Sequence, residues 1–280
     1  MGRRSGNETE TQGGRGGIGG LREEANPVDY TSDNLLSKLG WDYSSGGRVQ
    51  LVYERFANET DTRVLSEYSQ TGLTRTSDAQ DEVDRERFAL EHRMALDLAA
   101  ADQLSWQLAR QTSETRQRTL QNRVVGGQPA FRTRDSRYEE NLWALSAQLE
   151  NAFSLGDTQH RLIYGVDLKR TTSADLRQGQ QTLLTTGVTT RERDISDFPD
   201  PRIREYAIFA QDSLDVGRWT VTPGLRFDRF QLDPRVTQRY LNSGATNDDP
   251  QRYRDSALSP KLAVSYALDD AHSIYAQYAS

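Results

Sequence analysis

Few side chains in this sequence have the types and spacing that metal binding or catalysis requires. The chain has no cysteine, so disulfides and thiolate metal sites are excluded. Its three histidines, His92, His160 and His272, share no helical or strand spacing with one another, so we predict no metal site. His160 and His272 stand beside short polar turns, and His92 falls on the apolar side of an alternating segment. We interpret all three as rim or packing residues.

Two further kinds of site can be weighed from the sequence. The glycine-rich run at 13–20 has the composition of a phosphate-binding loop, but no Gly-Lys-Ser/Thr follows it and no strand precedes it. No Gly-x-Ser-x-Gly segment anchors a Ser/His/Asp arrangement. We therefore predict no catalytic residue and no enzymatic activity. A net charge of −6 lacks the basic footprint of a nucleic-acid partner, so none is expected.

The composition predicts secondary-structure elements that are apolar on one face only, so that about half of their side chains are buried. Hydrophobic residues make up 35% of the 280 residues and the mean hydropathy is −0.81, whereas soluble domains use roughly 45–50% apolar residues. Disorder is disfavoured by 12 tyrosines, 8 phenylalanines and 4 tryptophans. A membrane-spanning helix is excluded because no window approaches the required run of about 20 apolar residues.

Apolar and polar residues alternate with a period of two, which indicates strands with one apolar and one polar face. The segments 143–153, 161–169, 219–228 and 258–268 show this pattern. In 219–228 the apolar parity comprises Trp219, Val221, Pro223, Leu225 and Phe227, and the polar parity comprises Thr220, Thr222, Gly224, Arg226 and Asp228.

Connections of two kinds separate the strands. Short polar turns are predicted near 44–47, 101–102, 156–157, 216–217 and 269–270, and long polar loops near 60–80, 118–134, 177–203 and 233–256. Short turns at one end and long loops at the other are typical of an outer-membrane β-barrel. A soluble β-sandwich would turn every 8–12 residues or so, and a β-helical adhesin would show a short fixed repeat. The pattern favours an all-β, antiparallel transmembrane β-barrel over residues 34–280, after a glycine-rich polar loop segment at 1–33.

Two hairpins carry a resemblance to a known family. Residues 204–212, followed by 217–219 and 223–228, resemble the central barrel hairpin of TonB-dependent outer-membrane receptors. The next hairpin, from 258–262 to 274–279, resembles the hairpin that follows it in that family. The similarity covers about residues 20–280. It implies a partial barrel of about ten strands, since the large transporters of this type have 22.

Three shorter segments resemble the heme and hemoglobin receptor branch of the family: 26–30, 36–39 and 198–200. The resemblance implies a receptor of the bacterial outer membrane that takes up heme or a hemoprotein, or alternatively a ferric siderophore, with TonB acting through a plug domain. A passive porin-like barrel, a soluble lectin-like protein and a translocated adhesin remain alternatives.

The sequence shows neither the plug of that family nor its "F-R-A-P" segment, where axial histidines usually lie. We therefore expect a barrel fragment that binds no cofactor itself, with heme or a ferric chelate as the transported ligand.

The barrel interpretation gives roles to three sets of residues. Each set also has a simpler interpretation: the charged residues as an ordinary barrel wall, the aromatic residues as core or surface side chains, and the tyrosines as ordinary loop residues. Lumen-facing candidates are Arg226, Asp228, Lys261, Asp167 and Lys169, which would line a polar path. Candidates for an interfacial aromatic girdle are Trp41, Tyr43, Trp106, Phe153, Trp219 and Tyr266. Candidates for ligand contact in extracellular loops are Tyr240 and Tyr253.

Overall fold

The described residues of the computed structural model, 2–8, 15–43 and 46–280, form one antiparallel sheet of twelve strands. The strands are β1 (Gly2–Glu8), β2 (Val28–Tyr43), β3 (Gly47–Arg63), β4 (Thr74–Leu98), β5 (Ala101–Val125), β6 (Gln128–Leu155), β7 (Thr158–Leu183), β8 (Thr189–Arg191), β9 (Asp200–Val216), β10 (Trp219–Arg235), β11 (Tyr253–Ala267) and β12 (Ser273–Ala279). A 3-10 turn (Leu65–Glu67) and one short helix, α1 (Gln238–Asn242), lie in the connections. No helix in this part of the chain is long and apolar enough to cross a membrane.

The sheet is a meander in which the strands follow their order in the chain. Each strand pairs with the next, except that β7 pairs with β9 while the short β8 adds to the end of β7. β1 and β12 are the two edges, so the sheet is open in the described residues. The predicted all-β antiparallel fold is confirmed, and the open sheet is consistent with a partial barrel.

The pairing register gives this sheet one apolar face and one polar face. Phe227 of β10 lies opposite Ile208 of β9 and Leu258 of β11, and Ile208 lies opposite Val166 of β7. Residues directly opposite each other project to the same side of a sheet, so the apolar parity of each strand joins that of its neighbours. We call this side the apolar face and the side that carries Arg226 the polar face.

Large apolar side chains stay exposed because, among the described residues, no second layer covers the apolar face. Leu225 is 50% exposed, Ile208 59% and Trp219 50%. The polar face instead holds hydrogen-bonded amides and carboxylates, such as Glu91, which accepts from Gln50 at 3.0 Å and from Gln107 at 2.6 Å. A soluble protein would cover such an apolar surface, whereas a lipid-facing wall requires it.

The short turns lie at one end of the sheet, as predicted. The turn predicted near 44–47 includes residues 44 and 45, which lie outside the described residues. The other four turns occupy 99–100, 156–157, 217–218 and 268–272. Gly156 and Gly217 begin two of them with φ of 61° and 59°, a left-handed conformation that glycine adopts without steric cost. The turn predicted at 101–102 lies two residues earlier.

The long connections differ from their predicted extents. The loop predicted at 118–134 is wrong: β5 and β6 continue to a two-residue turn at Gly126 and Gly127, whose φ values are 57° and 78°. Consecutive left-handed glycines are typical of tight hairpins. Polar side chains lie on both faces of these strand ends, and Leu120, Val124 and Phe131 are too few to give the sequence a clear apolar alternation. The other three loops shorten to 64–73, 184–199 and 236–252.

Strands also occur within the segment at 1–33 for which a polar loop was predicted. β1 pairs with β2 from Gly2 opposite Asn34 to Glu8 opposite Val28. Residues 9–14, which include the start of the glycine-rich run, lie outside the described residues. Backbone pairing here does not require apolar side chains, which explains why composition alone indicated a loop.

The two faces should respond differently to a buried charge. In the full-length protein folded in lipid vesicles, Leu225→Arg or Val264→Arg should lower the free energy of unfolding by about 2–4 kcal/mol, if these residues lie near the bilayer midplane. Thr222→Arg, on the polar face, should lower it far less. Unfolding by urea of each variant in vesicles measures the difference. An equal loss for both faces would show that the assignment of faces is wrong.

The 280-residue chain by itself should not remain a monomer in water. Its exposed apolar face and two unpaired edges favour association with other copies. Size-exclusion chromatography with light scattering should show aggregates in detergent-free buffer. A monodisperse monomer would contradict the interpretation as a lipid-facing wall.

Candidate functional site

Three strands build a charged cluster on the polar face. The Arg226 guanidinium donates from Nη1 to Asp167 Oδ2 at 2.8 Å and from Nε to Asp228 Oδ1 at 3.0 Å. Asp167 and Asp228 both lie opposite Ala207 of β9, which brings the carboxylates of β7 and β10 into one row. Ser146 of β6 donates a further hydrogen bond of 2.6 Å to Asp167. The sequence-predicted residues Arg226, Asp228 and Asp167 therefore meet in one ion-pair network.

The other two predicted polar-wall residues lie outside this network. Lys261 of β11 donates to the Gln211 side chain at 3.3 Å. Lys169 pairs with Glu205 at 2.9 Å. Both lie on the polar face, Lys169 in an ion pair and Lys261 bonded to a neutral amide. Their contact with a plug or ligand stays a prediction.

An aromatic ring beside the cluster was not identified from the sequence. Phe209 lies on the polar face opposite Gly165 and Arg226, with the Arg226 guanidinium 5.8 Å from its ring centroid. A Cβ at position 165 would collide with the Ala147 carbonyl oxygen and lie 2.8 Å from the Phe209 ring. Gly165 thus leaves the space that the ring fills. An apolar residue on the polar parity of β9 is the signal that could have revealed it.

The six predicted girdle aromatics lie on the apolar face near the short turns. Trp219 and Tyr266 pack at 4.5 Å between ring centroids, and Trp41 and Tyr43 at 5.8 Å. The remaining two, Trp106 and Phe153, contact histidines. Their common position agrees with an interfacial girdle, which stays a prediction.

The structure places the histidines among these aromatic rings or in a turn. His92 bonds the Tyr43 hydroxyl at 2.7 Å and accepts from the Trp106 indole N–H at 3.1 Å. His160 stacks on Phe153 at 4.7 Å and bonds Asp212 at 2.8 Å. His272 bonds Asp269 in the turn between β11 and β12. Each histidine therefore has partners suited to a packing or rim role.

Two of the long loops dock on each other at the opposite end of the sheet. The backbone N–H of Ser196 donates to the Arg239 carbonyl at 3.1 Å, and the Asn242 amide donates to the Asp194 carbonyl at 3.0 Å. Arg239 also pairs with Asp200 at 3.2 Å. Ser196 is fully buried. The loops 184–199 and 236–252 therefore form one unit, which we call the loop pair.

The two candidate ligand-contact tyrosines occupy different elements. Tyr240 lies in α1 of the loop pair, whose first turn is capped by Thr237. Tyr253 was predicted in a loop but is the first residue of β11, where its ring lies 6.0 Å from that of Phe230 on the polar face. Its hydroxyl donates to the Asp255 carboxylate at 3.0 Å, and this hydrogen bond raises the pKa of Tyr253.

Positive charge gathers on the polar face at the loop end of β5 and β6. Arg123 donates to the Gln181 side chain at 3.2 Å, and Arg132 pairs with Glu192. Burial lowers the pKa of Arg123, and the nearby Arg132 and Arg134 lower it further. This arginine cluster was missed because residues 118–134 were predicted as a loop.

Comparisons with known proteins identify the architecture. Residues 13–280 match the family model described as "TonB dependent receptor-like, beta-barrel". The structure is similar to the copper transporter OprC, with 16% identity, a TM-score of 0.55, and coverage of 99% of this chain and 39% of OprC. It is similar to the Serratia marcescens hemophore receptor HasR, solved with its hemophore HasA and heme, with 15% identity, a TM-score of 0.54, and coverage of 99% and 39%.

A third similar structure is BauA, the ferric preacinetobactin receptor of Acinetobacter baumannii. Its identity is 12% and its TM-score is 0.53, with coverage of 90% of this chain and 42% of BauA. At these identities the likeness shows the fold. The chain spans about two fifths of the length of the structures that it matches.

The tight packing of Gly165 against Phe209 and the Ala147 carbonyl can be tested by comparing substitutions at Gly165 and at a second glycine with free space around it. Gly165→Ala should destabilise the folded full-length protein by about 1–3 kcal/mol, because the new methyl group has no space. Gly224→Ala, also on the polar face, should be tolerated, since its Cβ would have no neighbour nearer than 3.5 Å. Urea midpoints followed by heat-modifiable gel mobility measure both. Equal midpoints for the two variants would contradict the proposed packing of Phe209.

Proposed function

Because this chain belongs to the TonB-dependent receptor β-barrel family, we propose that it forms part of the wall of an outer-membrane receptor that takes up an iron source. Heme or a hemoprotein is the first candidate ligand and a ferric siderophore the second. The family match over residues 13–280 is the observation that carries this proposal. The two-faced sheet supports it, because a receptor barrel needs an apolar exterior and a polar interior.

In this proposal the apolar face contacts lipid and the polar face lines the lumen. The short turns then lie in the periplasm and the long loops outside the cell, as in barrels of the outer membrane. The ring groups that contain Trp41 and Trp106, and separately Trp219, then lie at the periplasmic interface, where amphipathic rings favour the headgroup region. The network around Arg226 faces the lumen, where a plug driven by TonB would pack.

The extracellular mouth has the chemistry to receive an anionic ligand. Arg123, Arg132 and Arg134 place three guanidinium groups at the loop end of the polar face, where Arg132 pairs with Glu192. Phe230 and Tyr253 form an aromatic pair on the same face of β10 and β11, with Phe230 in the row of Ala109 and Ala144 and the pair therefore well below the arginine cluster. Guanidinium groups bind carboxylates in a bidentate manner, and both heme and many ferric chelates carry carboxylates. The similar HasR was solved with its hemophore and heme, and the similar BauA is a ferric preacinetobactin receptor.

The histidines of this chain are poorly placed to coordinate heme. His92 and His160 lie on the apolar face, and His272 lies in a short turn at the opposite end from the loop pair. In the proposed orientation none of them meets a ligand that arrives from outside. Binding energy would therefore come from the loops and from a plug.

Replacing all three histidines tests this location of the site. In the full-length receptor, the triple variant His92→Ala, His160→Ala, His272→Ala should bind heme within about 1 kcal/mol of the unmodified protein, the size of an ordinary substitution effect. Binding isotherms give the affinity, and heat-modifiable mobility confirms that the barrel is folded. A tenfold or greater loss of heme affinity would show that the site lies elsewhere than proposed.

Shortening the loop at 184–199 tests the role of the loop pair. The deletion should weaken binding of a hemoprotein more than binding of free heme, because only the larger ligand can span several loops. It also removes the contacts of Ser196 and Asp194 with α1. A matched deletion in the loop at 64–73 serves as the control. Equal weakening for both ligands, or an equal effect of the control deletion, would contradict the proposal.

A further inference from the structure

The apolar face ends abruptly at one row of cross-strand neighbours. Leu108, Leu145, Leu168 and Tyr206 lie opposite one another across β5, β6, β7 and β9. On β10 and β11 the same row already holds Arg229 and Ser256, so there the apolar face ends one row earlier, at Phe227 and Leu258. The next row toward the loops replaces this apolar surface with arginine. Across β5, β6, β7, β9, β10 and β11 it reads Arg110, Trp143, Arg170, Arg204, Gln231 and Arg254.

At the centre of this row two arginines face each other directly. Arg170 of β7 is the register partner of Arg204 of β9, and like charges directly opposite each other destabilise a sheet. The carboxylate nearest to Arg204 is that of Asp233, at 3.5 Å. Asp233 is also paired with Arg252, at the shorter distance of 3.2 Å. Within the described residues, Arg170 and Arg254 have no ion-pair partner. An anion bound over the face of the sheet, between the two guanidinium groups, would remove this repulsion.

A groove on the same face continues the positive charge toward the loops. Five arginines and three carboxylates line it: Arg202, Arg204, Arg235, Arg252 and Arg254, with Asp200, Asp233 and Glu139. One of these carboxylates, Asp200, already pairs with Arg239 of the loop pair. The groove therefore retains an excess of guanidinium groups.

The neighbouring sector of the same face, on β3 to β6, has balanced charges. Arg55 pairs with Asp84 at 3.3 Å, and Arg137 pairs with Glu114 at 2.6 Å and Glu139 at 2.8 Å. Arg110 stacks on Trp143 at 5.4 Å. Within the described residues Arg110 has no ion-pair partner, so the arginines that lack a carboxylate are concentrated on β7 to β11 but not confined to those strands.

We propose that Arg170, Arg204 and Arg254 bind the phosphate groups of lipid headgroups in the leaflet on the long-loop side. This inference rests on the proposed function, because a barrel wall in a membrane places the end of its apolar band at the headgroups. Guanidinium groups hold phosphate by paired, charge-assisted hydrogen bonds. The apolar row below, which includes Leu168 and Tyr206, lies where the acyl chains of the same lipid would run. The occupant is an anionic, phosphate-bearing lipid.

The test compares three probes on the full-length protein in nonionic detergent. They are mixed micelles that carry phosphatidic acid, micelles that carry diacylglycerol with the same acyl chains, and inorganic phosphate. The unmodified protein should bind phosphatidic acid, whereas diacylglycerol and inorganic phosphate should bind much more weakly. The double variant Arg170→Gln, Arg204→Gln should bind phosphatidic acid about tenfold more weakly, as expected when charge-assisted hydrogen bonds are lost.

The matched control is the double variant Arg55→Gln, Arg137→Gln. It removes the same charge from the same face, but from arginines that already have carboxylate partners, so its affinity should fall by less than about twofold. In lipid-free detergent the Arg170→Gln, Arg204→Gln protein should melt no lower than the unmodified protein, since a like-charge pair has been removed. Added phosphatidic acid should then raise the melting temperature of the unmodified protein more than that of this variant.

Three results would overturn the inference: unchanged phosphatidic acid binding in the Arg170→Gln, Arg204→Gln variant, an equal loss in the control, or inorganic phosphate binding as tight as that of the lipid. The proposed function fails separately. If the full-length protein stays in the aqueous phase without detergent, the membrane assignment itself is wrong. If the full-length protein inserts into vesicles but the Arg170→Gln, Arg204→Gln variant binds phosphatidic acid as tightly as the unmodified protein, only the lipid site is refuted.

Discussion

The antiparallel hydrogen-bond ladder is the constraint on which the other features of this protein depend. Among the described residues there is no second layer, so no packed core corrects a strand that pairs out of register. A slip by one residue would move every side chain of that strand to the opposite face. Leu225 would then lie on the polar face and Arg226 on the apolar face. The alternation of side chains along most of β7, β9, β10 and β11 is what makes the native register the favoured one.

The same ladder gathers chemical groups from distant parts of the chain. Arg226 bonds Asp167, 59 positions away, because β9 sets β7 and β10 two strands apart with their carboxylates in one row. Gly165 and Phe209 meet for the same reason. These contacts stiffen the polar face, which in the proposed receptor is the wall against which a plug would pack. The wall is therefore built from strands that are cross-linked by side chains, while the loop pair lies at one end of it.

The two ends of the apolar face carry different chemistry. Near the short turns it ends in aromatic rings and their histidine partners, such as the contacts of His92 with Tyr43 and Trp106. Near the loops it ends in arginine, with Arg170 opposite Arg204. Neutral amphipathic rings suit the headgroup region of either leaflet, whereas an excess of guanidinium groups suits an anionic surface. This asymmetry agrees with the orientation proposed from turn and loop lengths.

The sequence by itself determined the fold class, the faces of the alternating strands and the end at which the short turns lie. These features are local, because a period of two and a polar turn can be read within ten or so residues. It also indicated that Arg226, Asp228 and Asp167 share a face. It could not reveal that residues 118–134 continue as strands, since polar side chains on both faces hide the alternation there. Only the tertiary structure decided that extension, the Gly165–Phe209 contact and the pairing of Arg170 with Arg204, because the register between strands is set by the pairing of whole strands and not by any residue alone.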